Sequence, residues 1–214
     1  ACDGARSWVR EHLAISLTEW SYNHTAITAQ VITEKPHRQT AWQKFTHEGP
    51  LAFLPLSFAE KPLTSIELSG DIHRVSLVWS VPSQRAESLL ALSDDDFMQE
   101  LAFSSESVLG KIKQIGQRHA FPLTMRHIKE YVKNRVILCA DAAHTFHPLA
   151  GQGLNIAMQD IAALLDAFIA IQHGQQARRV LRYYERMRKT ENWQVIVLLE
   201  SIKRLYEVNA PEAQ

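Results

Sequence analysis

Apolar and polar residues alternate most regularly over residues 72–81. This two-residue period predicts a half-buried strand, because successive strand side chains point to opposite faces of a sheet. Four further segments rich in β-branched or aromatic residues are predicted to be strands: 24–34, 43–47, 51–56 and 118–123. Residues 19–123 are therefore expected to form a mostly antiparallel sheet, with a long hairpin loop at 58–71.

The period changes to a helical one at Leu154. From Leu154 to Phe168, apolar residues return at steps of three and four, which is typical of an amphipathic helix. Further helices are predicted at about 5–14, 94–103, 176–190 and 191–208. Ser93 supports the start of the second of these, since its side chain can accept free backbone N–H groups and the acids after it favour the positive helix end.

Composition narrows the class of protein. The 214 residues suffice for one large or two small domains, and 46% hydrophobic with 21% charged residues is ordinary for a globular protein. Lys+Arg and Asp+Glu balance at 23 each, so no basic surface for nucleic acid is indicated. Cys2 and Cys139 have no metal-like spacing and predict a reducing compartment without a disulfide framework. We see no signal peptide and no stretch of about 18 apolar residues, which favours a cytoplasmic location.

The segment after residue 135 carries the candidate chemistry. Residues 135–139 are predicted to form a fully buried, parallel-type strand that ends at Asp141, where an open α/β sheet binds its ligands. An Asp there can accept hydrogen bonds from sugar hydroxyls, while Gly151 and Gly153 allow close backbone approach. The helix that follows offers free N–H groups to an anion or an electron-rich carbonyl. A flavin would suit all three features, but the glycine pattern alone fits a plain strand–loop–helix connection equally well.

The complete string is more specific than its glycines. Asp141-Ala-Ala-His144 followed by His147-Pro148-Leu-Ala-Gly151-Gln-Gly-Leu-Asn155 resembles the second FAD-binding motif of the para-hydroxybenzoate-hydroxylase class of flavin monooxygenases. Its His-Pro-Leu-Ala-Gly-Gln-Gly form resembles the ubiquinone-biosynthesis hydroxylases most closely. Cys2-Asp3-Gly4-Ala-Arg-Ser7 is similar to the Asp-Gly motif of that class. Phe121-Pro-Leu123 is a weaker match, to the strand that leads back from the substrate domain in this family. The resemblance covers nearly the whole chain.

The resemblance implies a fold and a division of the chain. The expected fold is α/β (α+β), with a para-hydroxybenzoate-hydroxylase-like FAD domain and an antiparallel-sheet substrate domain. Residues 1–18 and 124–214 would belong to the FAD-binding domain. Residues 19–123 would form the β-rich substrate domain and one wall of the aromatic substrate pocket.

The resemblance also implies an activity: an FAD-dependent monooxygenase that uses NAD(P)H and O2, through a C4a-hydroperoxyflavin, to hydroxylate the ring of a polyprenyl phenol or quinol in ubiquinone biosynthesis. Asp141 would hold the ribityl chain, Pro148 and residues 151–155 would border the isoalloxazine ring, and Asp3 would support the pyrophosphate region. No protein nucleophile is required. The implied cofactor-binding set is Asp3, Gly4, Asp141, Pro148, Gly151, Gln152, Gly153, Leu154 and Asn155.

Two departures from the family pattern keep alternatives open. Ala140 stands where the family usually has Gly, and the chain has no G-x-G-x-x-G string. The N-terminal Rossmann unit is therefore expected to be missing, and the chain alone to be incomplete. One alternative is a truncated, non-catalytic domain with an interaction or assembly role. Another keeps the fold but changes the chemistry, as in a flavin-dependent halogenase or a geranylgeranyl-type reductase.

Other features have plainer interpretations. His144 and His147 are three residues apart but have no evident third ligand, so no metal site is predicted. The basic residues between Arg178 and Lys189 are interpreted first as a solvated helix face, and second as a contact with an anionic membrane surface. The second interpretation would place the protein at the periphery of the inner membrane. A homo-oligomer or membership of a biosynthetic complex is also left open.

Overall fold

The computed structural model describes residues 1–56, 73–146 and 151–209, and the side chains of all of these except Gln152 and residues 202–209. The chain divides into two compact units. Unit 1 comprises Ala1–Tyr22 and Thr124–Gln214, and unit 2 comprises Asn23–Leu123. The loop predicted at 58–71 lies outside the described residues.

Unit 2 is built on an antiparallel sheet. The strands, two of which continue into unit 1, are β1 Leu17–Thr33, β2 Trp42–Thr46, β3 Gly49–Pro55, β4 His73–Pro82, β5 Ile112–Ile115 and β6 His119–Ile128. Their order is β2-β3-β4-β1-β6, and β5 also pairs with β1. The five strands predicted from the sequence are confirmed, whereas the short β5 was not predicted.

The register of β4 explains the alternation seen in the sequence. Leu77 lies opposite Ala29 of β1 and Phe53 of β3, and all three side chains are buried. Two helices complete this core, α2 Ser83–Ala91 and α3 Asp94–Ser104. The predicted cap of α3 is present, since Asp96 N donates to Ser93 Oγ over 3.1 Å. The sequence analysis missed α2.

Unit 1 contains most of the helical residues. Its further elements are α1 Trp8–His12, β7 Val132–Lys133, β8 Val136–Ile137, a 3-10 helix at Ala140–Ala142, β9 His144–Thr145, α4 Gln152–Gln172 and α5 Ala177–Asn209. β9 pairs antiparallel with β6. The two helices predicted at 176–190 and 191–208 are one continuous helix, because no Gly or Pro interrupts residues 177–209.

The prediction of a fully buried parallel strand at 135–139 is wrong about the length of the strand, its burial and most of its pairing. Only Val136 and Ile137 form a strand, β8, and it is half-buried and pairs antiparallel with β7. The parallel pattern occurs at one point instead. Ala1 N donates to Ile137 O, and Cys139 N donates to Ala1 O over 3.1 Å, which places Ala1 beside Leu138 in parallel register.

The apolar stripe predicted on α4 faces outward within the described structure. Leu154 is 72% exposed and Leu165 59%, while the buried face of the helix carries Ile156, Asp160 and Ala167. Over residues 153–172, α4 also meets the criterion of length and apolar composition for a helix that crosses a membrane, and few of its residues are buried. The sequence analysis saw no such stretch. Core helices of soluble proteins can meet the same criterion, so length and composition do not decide the environment of α4.

Candidate functional site

The first predicted site residue, Asp3, organises the turn into α1. Ser7 Oγ donates to Asp3 Oδ1 over 2.7 Å, and Val9 N donates to Asp3 Oδ2 over 3.2 Å. The hydrogen bond from Ser7 is the main reason that the pKa of Asp3 lies below its usual value. Gly4 follows with a φ of +87°, a conformation that favours glycine. The carboxylate of Asp3 thus already has two partners within the chain.

The second predicted site residue, Asp141, lies in the 3-10 helix with its side chain exposed. Ala140 just before it has a φ of +54°, in the left-handed region. This geometry gives a physical reason why Gly would suit this position, because a Cβ is unfavourable at that φ. Ala140 N donates to Asp160 Oδ2 over 2.9 Å, so the strained residue is held by α4.

Three contacts bring these two segments together. The backbone of Ala1 pairs with Ile137 and Cys139, as described above, and Cys2 Sγ lies 2.7 Å from Cys139 Sγ. Arg10 supplies the third contact. Its Nη1 donates to Ala142 O over 3.2 Å and its Nη2 to Ala5 O over 2.8 Å, with the side chain buried. The segments that carry Asp3 and Asp141 are therefore neighbours, although 138 positions separate the two residues in the sequence.

The start of α4 offers open backbone groups. Gly151 occupies the N-cap with a φ of +63°, no side chain among the described residues caps the helix, and its first turn holds no acidic residue. A Cβ added at Gly4, Gly151 or Gly153 would meet nothing within 4 Å among the described atoms. Leu154 and Asn155 are exposed in the same turn. Such an uncapped helix N-terminus favours a negatively charged or electron-rich group.

Two of the predicted positions are only partly covered by the structure. Pro148 lies outside the described residues, as does His147, and nothing is described of the side chain of Gln152. His144, the other half of the rejected metal pair, is buried and paired with a carboxylate.

A buried ionic cluster behind the site was missed by the sequence analysis. Asp160 is 0% exposed, and its carboxylate accepts hydrogen bonds from His144 Nε2 over 2.6 Å and Arg188 Nε over 2.7 Å, besides the one from Ala140 N. Burial alone would raise the pKa of Asp160, but these three donors outweigh it and the net pKa lies below its usual value. The available signal was an acidic residue in an otherwise apolar stretch of α4.

A chain of hydrogen bonds extends from this cluster. Arg188 Nη2 donates to Asn192 Oδ1 over 3.1 Å, and Asn192 Nδ2 donates to the Tyr131 hydroxyl over 2.8 Å. That hydroxyl lies 3.1 Å from His127 Nε2, so it can donate to a neutral imidazole. Burial, followed by the nearby His144 and Lys189, lowers the pKa of His127 to about 4. His127 is therefore neutral near pH 7.

The sequence of the chain matches one protein family over most of its length. A family model described as an FAD binding domain matches residues 1–198. The chain belongs to this FAD-binding family. The family is named for FAD, the cofactor that the sequence predicted for the segments of Asp3 and Asp141.

Curated proteins that are similar in sequence to this chain include two hydroxylases. The ubiquinone hydroxylase UbiL of Rhodospirillum rubrum is 34% identical over 95% of this chain and 45% of its own length. The 3-demethoxyubiquinol 3-hydroxylase of Escherichia coli is 34% identical over 89% of the chain and 46% of its own length. The chain thus spans about half the length of these relatives.

Solved structures show the same fold. A probable FAD-dependent monooxygenase, pqsL of Pseudomonas aeruginosa, superposes with a TM-score of 0.74 at 22% identity, covering 96% of this chain and 55% of its own. Aklavinone-11 hydroxylase, solved with FAD and aklavinone, gives 0.67 at 19% identity over 91% of this chain and 35% of its own. The likeness confirms the para-hydroxybenzoate-hydroxylase-like α/β fold with an antiparallel sheet that the sequence predicted.

The described residues fit part of an FAD. Among the described atoms, none lies within 4 Å of a Cβ built at Gly4, Gly151 or Gly153, so a ligand can approach the backbone there as far as these atoms are concerned. The uncapped α4 supplies N–H donors, and the exposed Asp141 supplies an acceptor for hydroxyl groups. These features match the chemistry of the ribityl and isoalloxazine parts of the cofactor.

Proposed function

We propose that this chain is part of an FAD-dependent monooxygenase that hydroxylates the aromatic ring of a polyprenyl phenol or quinol in ubiquinone biosynthesis, with NAD(P)H as the reductant. One observation carries the proposal: the segments of Asp3 and Asp141 lie side by side, beside an α4 that begins without a cap. The proposed substrate class follows that of the relatives, which are a ubiquinone hydroxylase and a 3-demethoxyubiquinol 3-hydroxylase.

Within this proposal, bound FAD would supply electron transfer from NAD(P)H to O2, and the chain's own residues would position and tune it. Asp141 accepts hydrogen bonds from ribityl hydroxyls. The first N–H groups of α4 stabilise negative charge on the reduced ring. Asp3 acts through its bonds to Ser7 and Val9, which fix the turn at Gly4 for the pyrophosphate region.

Residues 23–123 would supply the substrate side of the reaction. Their antiparallel sheet is proposed as one wall of the aromatic pocket. A protein nucleophile is not needed, since the oxygen atom comes from O2 and the remaining work is to align the ring and exclude water.

The exposed face of α4 favours a second candidate, a non-catalytic domain with an interaction or assembly role. Leu154, Met158 and Leu165 are each more than half exposed on one helix face. Exposed apolar patches commonly mark contact sites. This candidate predicts a folded chain that binds no flavin in any form.

Visible absorption with added FAD separates the two candidates. We would titrate FAD into the chain and into a version extended at its N-terminus by the Rossmann unit that the sequence analysis expects. Retained flavin bands after gel filtration of the extended form support the monooxygenase, and an aromatic quinol should then stimulate its NAD(P)H oxidation. Bands in neither form would overturn the proposal and leave the interaction role.

The role of Asp141 has its own prediction. In the form that binds flavin, Asp141→Asn should weaken FAD binding by about 10- to 100-fold, since a hydrogen bond to a charged acceptor contributes roughly 1.5–3 kcal/mol. Asp166→Asn, the same change at an exposed position of α4, is the matched control and should leave the Kd unchanged. Equal Kd values for the two variants would remove Asp141 from the site.

A further inference from the structure

The only two cysteines of the chain lie in contact, although 137 positions separate them in the sequence. Cys2 Sγ and Cys139 Sγ are 2.7 Å apart. From spacing alone we expected no disulfide framework. The fold instead places each cysteine immediately before a segment of the candidate cofactor site, Cys2 before Asp3 and Cys139 before Ala140.

The backbone holds the two thiols in register. Ala1 N donates to Ile137 O and Cys139 N donates to Ala1 O, so Ala1 pairs with Leu138 and the next residues, Cys2 and Cys139, come opposite each other. A disulfide has an S–S bond of about 2.05 Å. Moving the sulfurs from 2.7 Å to bonding distance therefore requires a shift of less than one ångström, without a new chain path.

We propose that Cys2 and Cys139 form a reversible oxidation site, in which an intrachain disulfide ties the Asp3 segment to the Asp141 segment. The oxidant is a peroxide. The Cys2 thiol is oxidised to a sulfenic acid while hydrogen peroxide is reduced to water. Cys139 sulfur then attacks the Cys2 sulfur, the S–OH bond breaks, and a second water leaves with the thiol proton.

Exposure gives this order of events. Cys2 is exposed and meets the oxidant first, whereas Cys139 is buried. Burial, together with the hydrogen bond to Cys2, raises the pKa of Cys139 to about 12, so it is a poor first target. Its contact with Cys2 makes it the resolving thiol, because proximity replaces a bimolecular encounter.

Oxidation restricts the relative motion of the two segments of the candidate site, whichever cofactor binds there. In the reduced chain, the two segments are joined by backbone hydrogen bonds and by Arg10. In the oxidised chain, a covalent bond fixes their separation directly beside Asp3 and Asp141. Reduction by a dithiol restores the open pair.

The test uses the full chain and counts its thiols. Reduced protein is treated with hydrogen peroxide, unfolded in denaturant with N-ethylmaleimide, and weighed as an intact species. We expect the doubly labelled chain to convert to an unlabelled monomer that has lost two hydrogens, and dithiothreitol to restore both labels. The conversion should be at least about tenfold faster in the folded chain than in denaturant, where the cysteines are apart.

Two matched variants complete the test. Cys139→Ser should stop at a sulfenic acid on Cys2 that a dimedone probe traps, and Cys2→Ser should keep Cys139 labelled under the same treatment. The proposal is overturned if wild-type protein gives disulfide-linked dimers, if Cys2 is over-oxidised while Cys139 stays labelled, or if both thiols survive. None of these readouts requires flavin, so their failure leaves the proposed function standing.

Discussion

Ala140 combines a side chain with a backbone conformation that suits glycine. Its φ of +54° costs a residue with a Cβ roughly 1–2 kcal/mol relative to Gly, although Gly loses more chain entropy on folding. We therefore expect Ala140→Gly to leave the free energy of unfolding unchanged or raise it by up to about 1 kcal/mol. Urea unfolding measures this.

Ala142 provides the contrast for that substitution. It lies in the same 3-10 helix, is buried and has no positive φ. Ala142→Gly should lower the free energy of unfolding by about 0.5–1 kcal/mol or more. A similar loss for both variants would mean that the left-handed φ at Ala140 carries no strain.

The Asp160 cluster gives a second prediction for single residues. Asp160→Asn keeps the shape but leaves Arg188, which is 2% exposed, with only the half-exposed Glu191 as a counter-charge. Breaking such a pair typically costs about 3–5 kcal/mol. Urea unfolding of Asp160→Asn, with Asp166→Asn as the exposed control expected to stay within about 0.5 kcal/mol, checks this.

Replacing both charges separates pairing from packing. The double variant Asp160→Leu with Arg188→Met removes the unpaired buried charge but leaves His144 Nε2 and Ala140 N without their acceptor, so it should recover only part of the loss. A single variant that loses less than about 1 kcal/mol would contradict the view that the cluster holds residues 140–144 in place.

His127 makes stability depend on pH. Its pKa is about 4 in the folded chain against 6.5 unfolded, so the unfolded state binds more protons between these values. Stability is thus fully present above pH 6.5 and falls as pH drops toward 4, by up to about 1.4 kcal/mol per pH unit. Between pH 6.5 and 5, His127→Gln should have a flatter profile of unfolding free energy than wild type. The exposed His119→Gln should follow wild type, and identical slopes for all three would contradict the assignment.

At the scale of elements, α4 shows a reversed distribution of apolar residues. Its longest side chains are exposed, whereas Ile156 is 3% exposed on the opposite face. Ile156→Ala should therefore cost about 2–4 kcal/mol of unfolding free energy, and Leu165→Ala less than about 0.5 kcal/mol. Thermal or urea unfolding distinguishes them. A large loss from Leu165→Ala would mean that the stripe is covered in solution, for example by a second copy.

The sequence predicted elements better than it predicted their environments. The alternation at Val75, Leu77 and Trp79 gave β4 and its buried face, because a sheet with one covered face imposes that period directly. The period of α4 gave the helix but not the burial of Asp160. Periodicity reports that two faces differ, and only tertiary contacts decide which face packs inside the unit.

The candidate site was predictable to a similar extent. The Asp3-Gly4 and Asp141 strings were recognised as motifs, yet nothing local indicates that they meet. Their meeting depends on Arg10 and on the pairing of Ala1 with Leu138, which are contacts between distant positions. Arg10 was not singled out, since an arginine in a short helix is usually on the surface.

At the scale of the whole molecule, unit 2 is one continuous stretch of sequence. It separates the two stretches of sequence that make up unit 1. The two compact units divide after Tyr22 and after Leu123, and the division into an FAD-binding domain and a substrate domain stays a prediction. Unit 2 has its own core of buried side chains from β1, β3, β4, α2 and α3. The roles of FAD binding and substrate binding for the two units stay predictions, which the absorption experiment addresses.

The pairing of Ala1 with Leu138 also determines how early this part of unit 1 can form during synthesis of the chain. A ribosome adds roughly 5–20 residues per second, so Leu138, the strand partner of Ala1, is made about 7 to 27 seconds after Ala1 itself. Residues 23–123 can collapse on their own during that interval. The segment that carries Asp3 cannot complete its pairing until the segment around Cys139 leaves the exit tunnel, and unit 1 is complete only after α4 and α5 have followed.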